Sequence, residues 1–186
     1  MNKIDQIISL LKKEFPGLSP KPSRSDPLDV LIATMLSQNT TDKTSFRAFE
    51  NLKRDFKDWE DVMNSPPRKV KNAIRVCGLT NQKTKSIQAL LKKLKKSHGS
   101  LSLNYIKKLS SDEIYDEFLQ YDGVGVKTIS CVLAFGLGRD VFPVDTHVHR
   151  LAGRLGIAKA KTPDKTFEQL KDKVKEKKKF LLHTLL

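Results

Sequence analysis

The sequence has little of what marks membrane-spanning, secreted or metal-binding chains. Only two of its 186 residues are cysteine, and aromatic residues make up 7%. Both cysteines, Cys77 and Cys131, lie in apolar helical context, which predicts buried free thiols and excludes the disulfide framework of a small secreted domain. The apolar runs are too short to span a bilayer, and the first residues carry acid and base rather than a signal-peptide core. These absences predict a cytosolic protein.

Strand-type alternation is also scarce. Only residues 141–144 alternate briefly between the two faces of an extended chain, whereas helical spacing of apolar residues recurs from the first segment onward. Hydrophobic residues make up 38% of the chain, which is enough for a real core in one domain or two small ones. The sequence therefore predicts an all-α fold.

Acidic residues are far fewer than basic ones. The chain has 21 Asp and Glu against 35 Lys and Arg, which gives a formal net charge of +14. A charge of this size attracts polyanions from a distance and is typical of nucleic-acid-binding proteins. Several lysines lie in the predicted helix over residues 81–97, and a lysine run of this kind usually forms a solvated face. The charge indicates a nucleic-acid partner without identifying the residues that contact it.

A glycine-bracketed turn, Gly123-Val124-Gly125, stands at the centre of the functional argument, with Lys127 just after it. Two glycines one residue apart permit positive φ and bring the backbone close to an anion. Segments of helical pattern flank the turn, so this stretch predicts helix, tight hairpin, helix. A nucleotide-binding P-loop needs a preceding strand and glycine directly before the lysine, where this chain has Val126. Alone, the segment fits an ordinary turn between packed helices equally well.

Three further segments stand out for their polar or cap-forming residues. Residues 144–150 (VDTHVHR) place Asp145 where it can cap a helix, residues 36–42 (LSQNTTD) form a polar loop between two apolar faces, and residues 78–83 (GLTNQK) lead into the lysine-rich helix. Each has a purely structural interpretation as cap or turn chemistry. The alternate histidines of the first segment cannot share a metal ion on a helix, because positions two apart point in different directions.

Taken together and in this order, the hairpin with Lys127 and the three segments resemble the helix-hairpin-helix superfamily of DNA base-excision glycosylases, closest to its endonuclease III branch. The resemblance covers most of the chain. It implies a two-lobed all-α fold, with a central helical domain over residues 22–135 that ends in the hairpin, and a second one formed by residues 1–21 and 136–186. It also implies that Lys127 and Asp145 lie in the cleft between the lobes.

The resemblance further implies roles for individual residues. In this branch a lysine after the hairpin is the nucleophile, and an aspartate that caps the next helix stabilises positive charge on the sugar. Lys127 and Asp145 match these two residues in type and order. The residues expected to contact DNA are the hairpin's Gly123, Gly125 and Val126 through their amides, Gln38 or Asn39 as the wedge in the opened duplex, Leu79 beside the lesion, and Arg150, which could reach phosphate or Asp145.

The sequence departs from the family at three points. Most of the branch holds an iron–sulfur cluster with four cysteines near the carboxyl end, whereas this chain lacks those cysteines and stops at Leu186, about where that segment would begin. Either the cluster is absent or the chain is shortened, and in both cases we expect no iron–sulfur cofactor and no metal. Asp122 stands where proline is usual and Val126 where arginine is frequent, so both predict weaker strand binding.

The function implied by the resemblance is a base-excision-repair DNA glycosylase with abasic-site lyase activity. It would remove a damaged base, typically an oxidised pyrimidine, and cleave the strand by β-elimination through a lysine Schiff base. Two alternatives stay open: a lyase that acts mainly on existing abasic sites, and a non-enzymatic helix-hairpin-helix DNA-binding module. The expected partner is double-stranded DNA with a damaged base or abasic site, bound by a cytoplasmic, nucleoid-associated monomer without membrane contact.

Overall fold

The computed structural model describes residues 2–18, 20–22 and 24–186, and its regular elements are all helical. The α-helices are α1 (Lys3–Glu14), α2 (Pro27–Ser37), α3 (Asp42–Asp55), α4 (Trp59–Asn64), α5 (Pro67–Ala73), α6 (Thr80–His98), α7 (Ser111–Phe118), α8 (Val126–Cys131), α9 (Thr146–Arg154), α10 (Pro163–Leu170) and α11 (Lys179–Leu185). Short 3₁₀ turns occupy Arg75–Cys77 and Asn104–Lys108, and a π-helical turn occupies Val132–Gly136. No described residue lies in a strand, which confirms the predicted all-α fold. Within the same residues, no helix is both long and apolar enough to cross a membrane.

The chain divides into two compact units, one over Asp26–Ile129 and one formed by Met1–Ser25 with Ser130–Leu186. These boundaries differ by a few residues from the predicted 22–135 division. Close to both boundaries, the amide of Ser25 donates to the carbonyl of Phe135 at 2.9 Å. That bond joins the end of the first segment to the π-helical turn, and both belong to the unit that contains the chain ends.

The unit Asp26–Ile129 is organised around α6, which packs against α2, α4 and α5. Its buried side carries Ile87, Leu90, Leu91 and Leu94 as expected from their spacing, and it continues into the polar residues Lys83, Thr84 and Gln88.

Side-chain caps fix where several of this unit's helices begin. The Asp26 carboxylate accepts the amides of Leu28 and Asp29 at 2.9 and 3.1 Å, and Pro27 occupies the first turn of α2. Since α2 ends at Ser37 and α3 begins at Asp42, the polar loop of residues 38–41 lies between two fixed helix ends.

The other unit joins the two ends of the chain. Helix α1 buries Ile4, Ile7 and Ile8 and packs against α11. The Asp5 carboxylate pairs with Lys175 and Lys178 at 3.0 and 2.8 Å, and these two lysines lower the pKa of that carboxyl below its ordinary value. Helix α9 packs against α10 in the same unit.

Candidate functional site

The hairpin between α7 and α8 is a tight turn that its own backbone bonds define. The amide of Tyr121 donates to the carbonyl of Phe118, and that of Val124 donates to Tyr121, at 3.1 and 3.0 Å. Val124 and Tyr121 are buried, and the Tyr121 ring lies 5.6 Å from that of Phe118. Burial, and secondarily the charge of Glu117, raises the pKa of the Tyr121 phenol above its ordinary value. The turn is therefore anchored by buried apolar side chains, while its two glycines are exposed.

The two glycines of the hairpin have different conformational requirements. Gly123 has φ +81°, a region that side-chain-bearing residues rarely adopt, and a Cβ there would lie 3.4 Å from Cβ of Ser86. Gly125 has no positive φ, and a Cβ there would meet nothing within 4 Å. In the described part of the chain, no acceptor bonds to the amide of either glycine. The fold accounts for glycine at position 123, whereas no contact among the described residues requires glycine at position 125.

Gln38 and Asn39, the two wedge candidates, are oriented differently. The Gln38 side-chain amide donates from Nε2 to the Gly123 carbonyl at 2.8 Å, so this residue joins the polar loop to the hairpin. Asn39 is exposed and has φ +53°, a left-handed conformation that asparagine tolerates better than most residues. Of these two residues, Gln38 is held by a hydrogen bond to the hairpin and Asn39 is not.

Leu79 is the most unusual residue of the 78–83 segment. It has φ +48° and ψ +35°, which is a left-handed conformation, and its side chain is 52% exposed. For a bulky residue this is a backbone outlier with a cost on the order of 1–3 kcal/mol, and such strain clusters at functional sites. Gly78 before it also has positive φ. The chain here holds an apolar side chain out into solvent at the start of α6.

These segments meet at one small pocket within the unit Asp26–Ile129. Its lining residues are Met35, Gln38, Asn39, Leu79, Gln82, Lys83, Ser86 and Gly123. The structure thus brings together the polar loop, the strained leucine turn and the first glycine of the hairpin, which are far apart in sequence.

Lys83 belongs to the lysine-rich segment of residues 81–97, for which a solvated face is the usual expectation, and for this lysine that expectation is wrong. Its side chain is only 5% exposed, and Nζ donates to the carbonyl of Leu36 at 2.7 Å and to that of Cys77 at 3.0 Å. The signal for its burial was its position four residues before Ile87, which places it on the apolar face of α6. Gln82 and Ser86 were not singled out from the sequence either.

Lys127 lies in the first turn of α8, directly after the hairpin. It is half-buried, and among the described residues no hydrogen bond or ion pair engages its amine. The amine is therefore not committed to an internal structural contact.

Asp145 and Arg150 belong to the other unit. Asp145 is the N-cap of α9, and its Oδ1 accepts the amide of Val148 at 2.8 Å. Arg150 is exposed, and its Nη2 lies 3.2 Å from Nδ1 of His147, while His149 bonds to Thr166 at 2.7 Å. Both histidines thus have partners of their own on or beside α9.

Comparison with known proteins identifies the family. Residues 32–176 match the HhH-GPD superfamily base excision DNA repair protein family, a stretch that includes every segment described above. The chain belongs to this family. Within it, similarity to curated endonuclease III sequences places the chain in the endonuclease III branch.

Two curated relatives show how far the similarity extends. A protein of Arabidopsis thaliana that is provisionally named a DNA glycosylase is 43% identical over 160 residues, which cover 86% of this chain and 55% of that protein. Endonuclease III of Thermotoga maritima is 31% identical over 168 residues, which cover 90% of this chain and 73% of the enzyme. The chain therefore spans just over half the length of the Arabidopsis protein.

Solved structures of the HhH-GPD family have the same fold. A non-covalent endonuclease III–DNA complex superposes with a TM-score of 0.79 at 24% identity, covering 100% of this chain and 84% of the solved one. An 8-oxoguanine glycosylase/lyase from Clostridium acetobutylicum, solved with double-stranded DNA, also gives a TM-score of 0.79, at 19% identity.

The iron–sulfur cluster usual in the endonuclease III branch does not fit the residues of this chain. Such a cluster takes four cysteine thiolates, whereas the chain has two cysteines, Cys77 and Cys131, and both are buried and free. The Cys77 thiol donates to the carbonyl of Ile74 at 3.1 Å. Among the described residues, no three His, Cys, Asp or Glu side chains group as metal ligands.

Proposed function

We propose that this protein is a base-excision-repair DNA glycosylase with abasic-site lyase activity, and that it acts on double-stranded DNA with a damaged base or an abasic site. The observation that carries the proposal is the setting of Lys127 in the first turn of α8, directly after the hairpin. Among the residues that the structure describes, no hydrogen bond or ion pair engages its amine, and no acceptor bonds to the exposed amides of the two hairpin glycines. Membership of a base excision DNA repair family and the net charge of +14 support the same substrate class.

The hairpin is proposed to hold a backbone phosphate. The amides of Gly123 and Gly125 have no acceptor in the described part of the chain, and the space in front of Gly125 is open. A phosphate oxygen can accept such amides, and contacts of this kind position the strand without reading its sequence. The resemblance implies that the backbone of Val126 also lies close to this phosphate.

Asn39 and Leu79 are proposed to fill the space that the target nucleotide leaves. The damaged nucleotide must leave the base stack before C1′ can be attacked, and its loss from the stack has to be compensated. Both side chains are exposed on left-handed backbone and line one pocket. Gln38 would keep its bond to the hairpin, which makes Asn39 the wedge of the two candidates.

Lys127 is proposed as the nucleophile. Its neutral amine attacks C1′, a C–N bond forms to the lysine, and the bond between C1′ and the base breaks with a proton going to the departing base. In the resulting aminal the C1′–O4′ bond breaks and O4′ takes up a proton, which opens the sugar ring and leaves an iminium between C1′ and the lysine. The iminium makes the C2′ hydrogen acidic, so loss of that proton expels the 3′ phosphate by β-elimination. Hydrolysis of the Schiff base then returns the free lysine.

Asp145 is proposed to stabilise the positive charge that develops on the sugar as the bond to the base breaks. Its carboxylate is fixed in orientation because Oδ1 accepts the amide of Val148. A fixed carboxylate near a developing cation stabilises the transition state without reorganisation, an effect worth roughly 3–4 kcal/mol in a water-excluded site.

Reductive trapping on abasic DNA tests the proposal. The wild-type protein should give a covalent adduct with labelled abasic duplex in the presence of borohydride, because borohydride reduces the Schiff base. Lys127→Gln should bind the same duplex with little loss and give no adduct, whereas Lys92→Gln, which removes an exposed lysine of α6, should trap as the wild type does. Undiminished trapping by Lys127→Gln would reject the assignment of the nucleophile.

The same assay separates the alternatives. A DNA-binding module would bind the duplex and give no adduct with the wild-type protein. A panel of duplexes with one damaged base each, scored separately for base loss and for nicking, distinguishes a glycosylase from a lyase that acts only on existing abasic sites. From the endonuclease III branch we expect oxidised pyrimidines to be released fastest.

A further inference from the structure

Lys83 has an unusual environment for a lysine. The side chain is 5% exposed, and its Nζ makes two hydrogen bonds, both to backbone carbonyls. A lysine amine has three donors and no acceptor, and burying it is unfavourable unless those donors are bonded. Its place in the fold therefore depends on the two carbonyls.

Those two carbonyls come directly before the two segments proposed to enter the duplex. Leu36 lies in the last turn of α2, where carbonyls have no partner within the helix, and it precedes Gln38 and Asn39. Cys77 ends the 3₁₀ turn that precedes Gly78 and Leu79. One amine thus binds the backbone carbonyls that precede two loops, which are separated by about forty residues in the sequence.

These two loops need a restraint of this kind because each contains a non-glycine residue with an unfavourable positive φ. Asn39 has φ +53° and Leu79 has φ +48°, and both side chains are exposed. A residue in this region returns to ordinary backbone unless the surrounding structure fixes it. The Lys83 bonds engage the backbone a few residues before Asn39 and Leu79, and Gln38 is held by its bond to Gly123.

Gln88 provides an internal reference on the same helix. It is 7% exposed, and its Nε2 donates to the carbonyls of Val62 and Ser65 at 3.0 and 2.8 Å. This is the same arrangement of one buried donor and two carbonyls, but it joins the end of α4 to α6. Neither Val62 nor Ser65 adjoins a segment proposed to contact DNA.

We propose that Lys83 is a positioning residue for insertion into the duplex: it holds Asn39 and Leu79 in their exposed left-handed conformations so that they enter the stack together. The inference rests on the proposed function and adds to it a residue that touches neither the sugar nor the base. Loss of the Lys83 amine should leave phosphate binding by the hairpin in place and impair the opening of the base stack.

Fluorescence of 2-aminopurine tests this step directly. The probe is a duplex with a tetrahydrofuran abasic analogue opposite 2-aminopurine, whose emission changes when it loses its stacking neighbours. Lys83→Met should bind this duplex with an affinity within about threefold of wild type, yet give at most about one third of the wild-type fluorescence change. Gln88→Met, which also leaves two buried carbonyls unbonded, should give the full wild-type change.

A second variant keeps the test decisive if Lys83→Met does not fold. Lys83→Gln retains a donor on a shorter side chain that reaches fewer carbonyls, so its fluorescence change should be intermediate. A wild-type change in both Lys83 variants would overturn the inference, and so would an equal loss in Gln88→Met, since the effect would then follow stability alone. If the wild-type protein forms no borohydride adduct with natural abasic DNA, the proposed function fails instead, whatever the fluorescence shows.

Discussion

The start of α8 and the start of α9 each carry one proposed catalytic group, and they are built in opposite ways. Helix α9 begins at Asp145, whose carboxylate already accepts the amide of Val148 at 2.8 Å. Helix α8 follows a hairpin in which, among the described residues, no acceptor bonds to the amides of Gly123 and Gly125. The amide of Val148 at the start of α9 is therefore bonded by the chain's own aspartate, whereas the turn before α8 has amide donors available for an external anion.

This difference separates two kinds of residue. A residue whose side chain caps its own helix, such as Asp145, contributes to stability whether or not DNA is present. A group whose donors have no partner in the described chain, such as the Gly125 amide, contributes to stability only weakly and is available for a ligand. Substitutions at the two places should therefore change different measured quantities.

The largest effect is expected at Asp145. Asp145→Asn retains a side-chain oxygen that caps α9, because asparagine caps about as well as aspartate, but it removes the charge. We expect base release in single-turnover assays to fall about 10²–10³-fold, while the melting temperature stays near that of the wild type.

The matched variant at this position is Asp145→Ala. It removes both charge and cap, so it should show the same kinetic loss and an additional destabilisation of about 1 kcal/mol in denaturant unfolding. A wild-type release rate in Asp145→Asn would show that the residue is only a helix cap.

The next effect is expected at the two glycines of the hairpin. Gly125→Ala should leave stability unchanged or slightly raised, because φ is not positive there and a Cβ meets nothing within 4 Å. It should nevertheless weaken binding to abasic duplex by about tenfold, since a methyl group would displace a phosphate from amides worth about 1 kcal/mol each. Fluorescence anisotropy with labelled duplex measures the affinity.

Gly123→Ala, unlike Gly125→Ala, should destabilise the fold. Its φ of +81° makes alanine strained, at a cost on the order of 1–2 kcal/mol in unfolding free energy. If Gly125→Ala bound abasic duplex as tightly as the wild type, the open space in front of that residue would not be where a phosphate lies.

The sequence predicted the parts of this molecule that depend on neighbours along the chain. Helix caps are features of this kind: Asp26, Ser110 and Thr162 each accept amides that lie two or three residues further along the chain. The hairpin and the cap at Asp145 were predictable for the same reason, and the order of the motifs then indicated the family.

The contacts that connect distant segments could not be predicted in the same way. The bond from Gln38 to Gly123 joins residues 85 positions apart, and no local pattern specifies it. Lys83 stands in a lysine-rich helix, so composition favoured a solvated position although its spacing to Ile87 favoured burial. The left-handed conformation of Leu79 arises because the chain must turn from the 3₁₀ segment into α6, and a leucine codes for no such turn.

The smallest effect is expected at Asp122, the exposed acid beside the hairpin glycines. Its negative charge is adjacent in sequence to Gly123, so we expect it to repel the phosphate that the amides of Gly123 and Gly125 are proposed to bind. Between exposed charges several ångströms apart this repulsion is below about 1 kcal/mol in water. Asp122→Asn should therefore tighten binding to abasic duplex by about two- to threefold at low salt, and the gain should vanish as salt screens the charge.

The matched control is Asp164→Asn, which removes an exposed acid from the first turn of α10 and should change the affinity less. A gain that persists at high salt would place the origin of the effect in the turn's backbone rather than in its charge.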